Sequence, residues 1–191
     1  TSKRYTQIFE SMFVFVKGKI RNDITLIADK KNKWAGWTNW GNKTHYDADG
    51  TLKGTGNIKP IPEFSLRNNI WKYSVSFNDK TGHPAVFPEK LAEDCILSWS
   101  VEGDIVLEPF MGSGTTLYEC ERLKRNYIGF DINTEIIEYV KNKMLDCSDI
   151  KFNIHECDCT DSLSVEMSLK NSLKEMGKQR VDFILSHPPY W

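Results

Sequence analysis

The sequence predicts an α/β protein built on a doubly wound, mostly parallel sheet, with an irregular region ahead of it. Three observations carry this. From Gly82 onward, apolar runs of strand length alternate with helical-period segments of 10–17 residues, the pattern of strand–helix–strand units. The strand "GDIVLEPF" runs into a Gly112–Gly114 turn that opens a helix, and the next strand ends in Asp131. The last apolar run, "VDFIL", stops at Ser186-His187-Pro188-Pro189-Tyr190, where two prolines forbid a continuing ladder.

Taken in order, "YTQIFESMFVFVKGK" alternates and then turns aromatic and β-branched, which predicts a strand, one arm of a hairpin. From about Arg21 to Asn69 the periodicity dissolves into Lys, Asn, Gly and Thr, with Trp34, Trp37 and Trp40 spaced for one short helix. Aromatics set among cations suit nucleobases and phosphates; tryptophans that pin the insert to the domain are the alternative. "PEKLAEDCILSWS" starts a helix at Pro88 and puts Ala92, Cys95, Ile96 and Trp99 on one face. "GTTLYECERLK" is the next helix and "YIGFD" the next strand. Asn133 caps a helix whose Ile136, Ile137, Val140 and Met144 turn inward. "IKFNIHEC" is a strand, 161–177 a helix and "VDFIL" the closing strand. The expected division is residues 1–80 as the basic, Trp-containing region and 81–191 as the α/β core.

The chain is 40% hydrophobic and 27% charged, ordinary for a globular domain. No apolar run approaches a membrane span, and no signal-peptide pattern opens the sequence. Five scattered cysteines without a CxxC pair fit reduced thiols and a cytoplasmic setting. On an extended segment His155, Cys157 and Cys159 would share a face, but metal-ligand spacing and a fourth ligand are absent, so strand-end roles are expected and no metal. The near-neutral net charge of −1 hides an asymmetry: residues 1–80 hold 14 Lys/Arg against 7 Asp/Glu, and residues 81–191 hold 11 against 19. A basic half facing a polyanion, or simply a solvated basic surface, would each account for it.

In a sheet of this kind ligands sit beyond the carboxyl ends of the strands. The turn "EPFMGSGTT" lacks the lysine of a phosphate-binding loop, and Leu117 breaks the full dinucleotide fingerprint. A side-chain-free turn paired with a carboxylate 17 residues later, at Asp131, suits an adenosine-containing ligand without a pyrophosphate.

"GDIVLEPFMGSGTT…YIGFDIN" closely resembles motifs I and II of the S-adenosylmethionine-dependent DNA amino-methyltransferases. "GHPAVFPEKLAEDCI", with "RNNIWKY" leading in, resembles their motif X, and "SHPPYW" their catalytic motif IV. The resemblance covers about residues 68–145 and 181–191 well and "FESMFVFVKGK" loosely. It implies a Rossmann-like methyltransferase fold and S-adenosyl-L-methionine as methyl donor. Pro109, Phe110, Gly112, Ser113 and Gly114 would line the methionine part, with Glu108 and Thr115 bracketing that turn. Asp131 would hold the ribose, Asp158 or a neighbour would approach the adenine edge, and His83, Phe87 and Pro88 would close the pocket. Ser186, His187, Pro188, Pro189 and Tyr190 would receive the target base.

The implied reaction is site-specific methylation of the N6 amino group of adenine or the N4 amino group of cytosine in double-stranded DNA, after base flipping. An exocyclic amino nitrogen is a weak nucleophile because its lone pair is delocalised into the ring. Acceptors for both N–H groups favour a pyramidal nitrogen, and proline supplies a backbone carbonyl without a competing N–H. Cytosine-C5 chemistry, with its nucleophilic cysteine after a proline, has no counterpart, since no Pro-Cys pair occurs. Two positions depart from the family pattern: Glu108 stands for the usual Asp, with its charge expected to be kept, and His187 stands for Asp, Asn or Ser. The second leaves the target base open. Methylation of RNA or of a protein glutamine, and a degenerate DNA-binding module without activity, are the rival readings. A homodimer and a restriction endonuclease partner are compatible with the resemblance. The motif order, with the recognition-like region ahead of motifs X and I and the end falling just after Tyr190, predicts a permuted arrangement or part of a longer chain.

Overall fold

The computed structural model describes residues 10–38, 44–54, 59–73, 88–147 and 149–188. Its centre is a four-stranded parallel sheet of β5 (Ile105–Glu108), β6 (Asn126–Asp131), β7 (Phe152–Glu156) and β8 (Phe183–Ile184), in the order β7-β6-β5-β8. Ahead of it lie two small antiparallel ribbons. One pairs β1 (Lys30–Lys31) with β4 (Phe64–Ser65), the other β2 (Thr44–Tyr46) with β3 (Leu52–Gly54).

Strand alternation sends neighbouring side chains to opposite faces, and both faces are covered. Val106 and Tyr127 point to the side of α1 (Glu89–Trp99), α2 (Thr115–Arg122) and α3 (Thr134–Lys143), where Ile96, Leu117, Ile137 and Val140 meet them. Ile105, Leu107, Ile128 and Phe130 point to α4 (Ser162–Met176), which contributes Met176, Leu169 and Leu173. The predicted doubly wound α/β architecture is the observed one. β8 returns beside β5, so the strand order reverses between these two; at such a switch point the loops diverge and leave a crevice.

The helix starts follow local chemistry. Asn133 Oδ1 accepts from the Ile136 N–H at 3.2 Å, and Asp161 Oδ1 accepts from Leu163 and Ser164, each occupying donors that a first helical turn leaves unpaired. α2 begins at Gly114, whose φ of 81° is left-handed. A Cβ there would also lie 3.0 Å from a Val140 methyl, so the turn needs glycine for two independent reasons.

Two N-terminal expectations are corrected. Residues 10–16 form no strand; Phe13 and Phe15 are exposed, and a strand requires a partner edge that none of the described segments supplies. The helix expected around the tryptophans is a tight turn at 33–36, closed by the Trp37 N–H on the Trp34 carbonyl, while Asn32, Gly36 and Trp37 also bond to the neighbouring segment 61–63. Residues 5–9 of the predicted strand, and Trp40, lie outside the described residues.

The region before the core is fastened to it at several points. Arg67 pairs with the buried Asp94 of α1 and with Asp29, while Tyr73 Oη donates to Asp94 at 2.8 Å and Lys90 Nζ lies 3.0 Å from its other oxygen. Burial alone would raise the Asp94 carboxyl, but these three partners hold it below the usual range. Trp71 stacks on Trp99 at 5.9 Å, and Trp99 reaches Phe183 of β8 at 6.1 Å. Arg21 bonds Asp104 and lies 3.6 Å from Asp182.

Candidate active site

Three loops at the carboxyl edge of the sheet are stitched together through the main chain. The Met111 N–H donates to the Phe130 carbonyl at 2.8 Å, and the Cys157 N–H to the Asp131 carbonyl at 2.9 Å. The Cys159 thiol donates to the Pro109 carbonyl at 3.0 Å. Asp131 closes the set: one carboxylate oxygen accepts from the Gly112 N–H at 2.8 Å and the other from the Asn133 N–H at 2.9 Å. Gly112, with φ 53°, takes the left-handed bend that points its N–H at Asp131.

β8 lies on the other side of β5. Val106 is paired with Phe183 and Leu107 with Ile184, and the Leu185 N–H donates to the Leu107 carbonyl at 3.0 Å. Ser186, His187 and Pro188 therefore leave the sheet beside Pro109, from the same edge as the glycine turn. His187 Nε2 lies 3.9 Å from a Glu10 carboxylate oxygen. The strand order thus brings the exits of β5 and β8 to one edge of the sheet.

Behind the turn is a buried polar cluster that sequence reading did not foresee. Glu108 accepts from Thr116 Oγ1 at 2.7 Å and from Tyr127 Oη at 2.6 Å. Gly129 is paired with Glu108 across the sheet, and a Cβ on it would fall 2.6 Å from Tyr127 Oη. Only glycine lets the tyrosine ring cross there, and a lone glycine inside the apolar strand "YIGFD" was the available signal. Burial pushes the Glu108 carboxyl up to about 8, against the lowering by its two hydrogen bonds. Burial thus favours the neutral carboxyl at a position where a charge was expected. Glu108 and Thr115 are 5% and 7% exposed, so their side chains brace the turn from behind.

The remaining predicted positions divide simply. Phe110 is 39% exposed at the crevice, and Ser113 Oγ lies 3.4 Å from Thr115 Oγ1. Asp158 is held in a loop turn, accepting from the Thr160 N–H and hydroxyl at 2.8 Å, which lowers its carboxyl below the ordinary value. Pro88 stands at the start of α1. His83, Phe87, Pro189 and Tyr190 lie outside the described residues. His155 Nε2 is 2.7 Å from Ser172 Oγ and its ring stacks on Phe130. Among the described residues no group of three His, Cys, Asp or Glu could hold a metal ion.

An adenosine ligand fits the donor set. Each Asp131 oxygen holds one backbone N–H and keeps a second acceptor direction, enough for a vicinal diol. The glycine turn allows close approach to main chain, and Phe110 offers an apolar face.

Comparison with known proteins agrees with the motif reading. The family model described as DNA methylase, for N6 and N4 methylation, matches residues 1–142. The orphan methyltransferase M.BamHII of Bacillus amyloliquefaciens is 47% identical over 148 residues, covering 74% of this chain and 55% of that protein. The type II methyltransferase M.HpaI of Haemophilus parainfluenzae is 46% identical over 89 residues, 45% of this chain and 27% of that one. The chain thus spans about half or less of the length of these curated relatives. Among solved structures, an M1.HpyAVI–SAM complex is 36% identical, with a TM-score of 0.36 over 49% of this chain and 47% of that chain. A match over three quarters of the sequence decides the assignment: the chain belongs to the N6/N4 DNA methylase family.

Proposed function

We propose that this chain carries the cofactor-binding and catalytic core of a site-specific DNA methyltransferase, acting on the exocyclic amino group of adenine or cytosine with S-adenosyl-L-methionine as donor. The observation that carries the reading is the pairing of β5 with β8, which sets the glycine turn and the Ser186-His187-Pro188 exit side by side. The cofactor supplies an electrophilic methyl group on a sulfonium.

Asp131 would hold the ribose hydroxyls, Pro109, Phe110 and the Gly112–Gly114 turn would border the methionine arm, and Asp158 or a neighbour would meet the adenine. On the substrate side, a base flipped from the duplex stacks on Tyr190. Its amino N–H groups donate to the Pro188 carbonyl and to Ser186 or neutral His187. Those acceptors localise the nitrogen lone pair on the side facing the glycine turn. The bound donor would supply its methyl group to that nitrogen and keep the electron pair of the broken S–C bond, and the surplus amino proton would leave to solvent. Alignment and fixed dipoles supply the rate, with no covalent enzyme intermediate.

The basic segment up to about residue 80 faces the DNA backbone and residues 81–191 form the catalytic core. A restriction endonuclease cutting the same sequence and a second copy of the chain are the protein partners this reading admits. A cytoplasmic, nucleoid-associated location follows from the substrate; among the described residues no helix is long and apolar enough to cross a membrane.

The test is transfer of tritiated methyl groups into DNA, RNA and protein side by side, followed by identification of the modified base. Label in N6-methyladenine or N4-methylcytosine is expected. Label confined to RNA or protein, or cofactor-independent DNA binding with no transfer by the complete protein, would overturn it.

A further inference from the structure

The ribbon formed by Lys30–Lys31 and Phe64–Ser65 ends in a braced turn. The Asn32 N–H donates to the Glu63 carbonyl at 2.8 Å and its side-chain amide to the Pro62 carbonyl at 2.9 Å. The Gly36 N–H donates to Ile61 at 2.9 Å, and Ile61 returns a bond to Trp37 at 3.0 Å. Gly36, at φ 82°, makes the left-handed step that brings Trp34 and Trp37 to the same side. Their rings stack with centroids 4.9 Å apart at 25°. They are nevertheless 50% and 55% exposed, so the stack is not pinned into a core.

One cation lies against this pair and two more stand on the adjoining strand. Lys33 Nζ sits 5.1 Å from the Trp34 ring centroid, and Lys30, Lys31 and Lys33 are all exposed. Of the nearby acids, Asp29 is engaged by Arg67, leaving Glu63 as the exposed carboxylate of the facing segment. Flat π surfaces held rigid among lysines complement a partner with flat rings joined by phosphates. An apolar protein groove would match the indoles but not the lysines. The bracing matters as well, because a pair already stacked loses little freedom on binding.

We propose that Trp34 and Trp37 form a stacking platform for nucleobases displaced from the helix of the DNA substrate, with Lys30, Lys31 and Lys33 on the adjoining phosphates. This rests on the DNA reading above and specifies which part of the basic region meets bases and not only backbone. Fully paired DNA hides its base faces, so the platform discriminates between paired and unpaired segments, whereas lysine–phosphate contacts do not.

Equilibrium binding of the complete protein and its Trp34→Ala/Trp37→Ala variant is measured on two oligonucleotides, one a perfect duplex and one with a central unpaired stretch. A loss of about tenfold or more on the unpaired DNA, with under about twofold on the perfect duplex, is expected from stacking energies per base. The Trp34→Phe/Trp37→Phe variant should recover most of the loss, since it keeps a π face on the same turn. Equal losses on both DNAs, no loss on either, or failure of the phenylalanine variant to recover would overturn the platform. The readout is binding, so a protein that binds in this way without transferring methyl groups would sink the catalytic reading and leave the platform standing.

Discussion

Asp131 accepts the Gly112 N–H at 2.8 Å, tying the end of β6 to the turn that follows β5. The carboxylate proposed to hold the ribose is thus also the clamp on the glycine turn. Asp131→Ala removes both, and calorimetry should show donor affinity falling by about tenfold or more, as for loss of charge-assisted hydrogen bonds. Equal affinities would sink the ribose assignment.

Gly114 combines φ 81° with a 3.0 Å approach to Val140. Gly114→Ala should cost about 1–3 kcal/mol, read as a lower urea midpoint, because alanine must adopt a left-handed backbone while pressing on α3. An unchanged midpoint would mean that the turn is not fixed as described.

Glu108 carries a pH signature. Its folded value of about 8 lies above the ordinary 4.5, so the unfolded chain releases this proton while the folded chain keeps it. Stability contributed by this residue is whole below about 4.5 and is lost as pH rises toward about 8, reaching a plateau above that. The groups facing it are Thr116 and Cys120 from α2, and Tyr127 and Asp131 from β6. Glu108→Gln should flatten that slope, becoming the more stable form toward pH 9, since the Thr116 hydroxyl can rotate to accept from the new amide. Parallel denaturation curves for the two proteins from pH 5 to 9 would disprove the buried neutral carboxyl.

At the β8 exit, Tyr190→Ala should lower methyl transfer by tenfold or more while leaving donor affinity within about twofold, as loss of a stacking face for the base requires. His187→Asp should retain or raise transfer if position 187 serves as an acceptor. Loss of donor binding in the tyrosine variant would move Tyr190 to the cofactor side.

Lys30, Lys31 and Lys33 should set the salt response. Replacing all three with glutamine should reduce the slope of log affinity against log salt by about 2.7, if each neutralises one phosphate. A slope unchanged within error would remove the ribbon from the DNA interface.

Much of the core was legible because its causes are local. Asn133 and the apolar period behind it announce α3, and alternating strands and helices announce a parallel sheet with two covered faces. The glycines of the turn and the acid at the next strand end could be read because a left-handed bend and a strand terminus leave chemical marks on the sequence itself.

Other features were decided by partners distant in the chain. Periodicity says which face a β8 residue takes but not which strand lies beside it; the β5–β8 pairing that joins the two motifs is tertiary. The same holds for "FESMFVFVKGK", whose alternation predicted a strand although residues 10–16 are not paired into one, and for the tryptophans, where a tight turn bonded to 61–63 replaced a helix. Glu108 makes the point most sharply. Its sequence position implied a charge, but the strand pairing buries it behind Tyr127, whose ring lies over Gly129, and burial raises its carboxyl above the ordinary value.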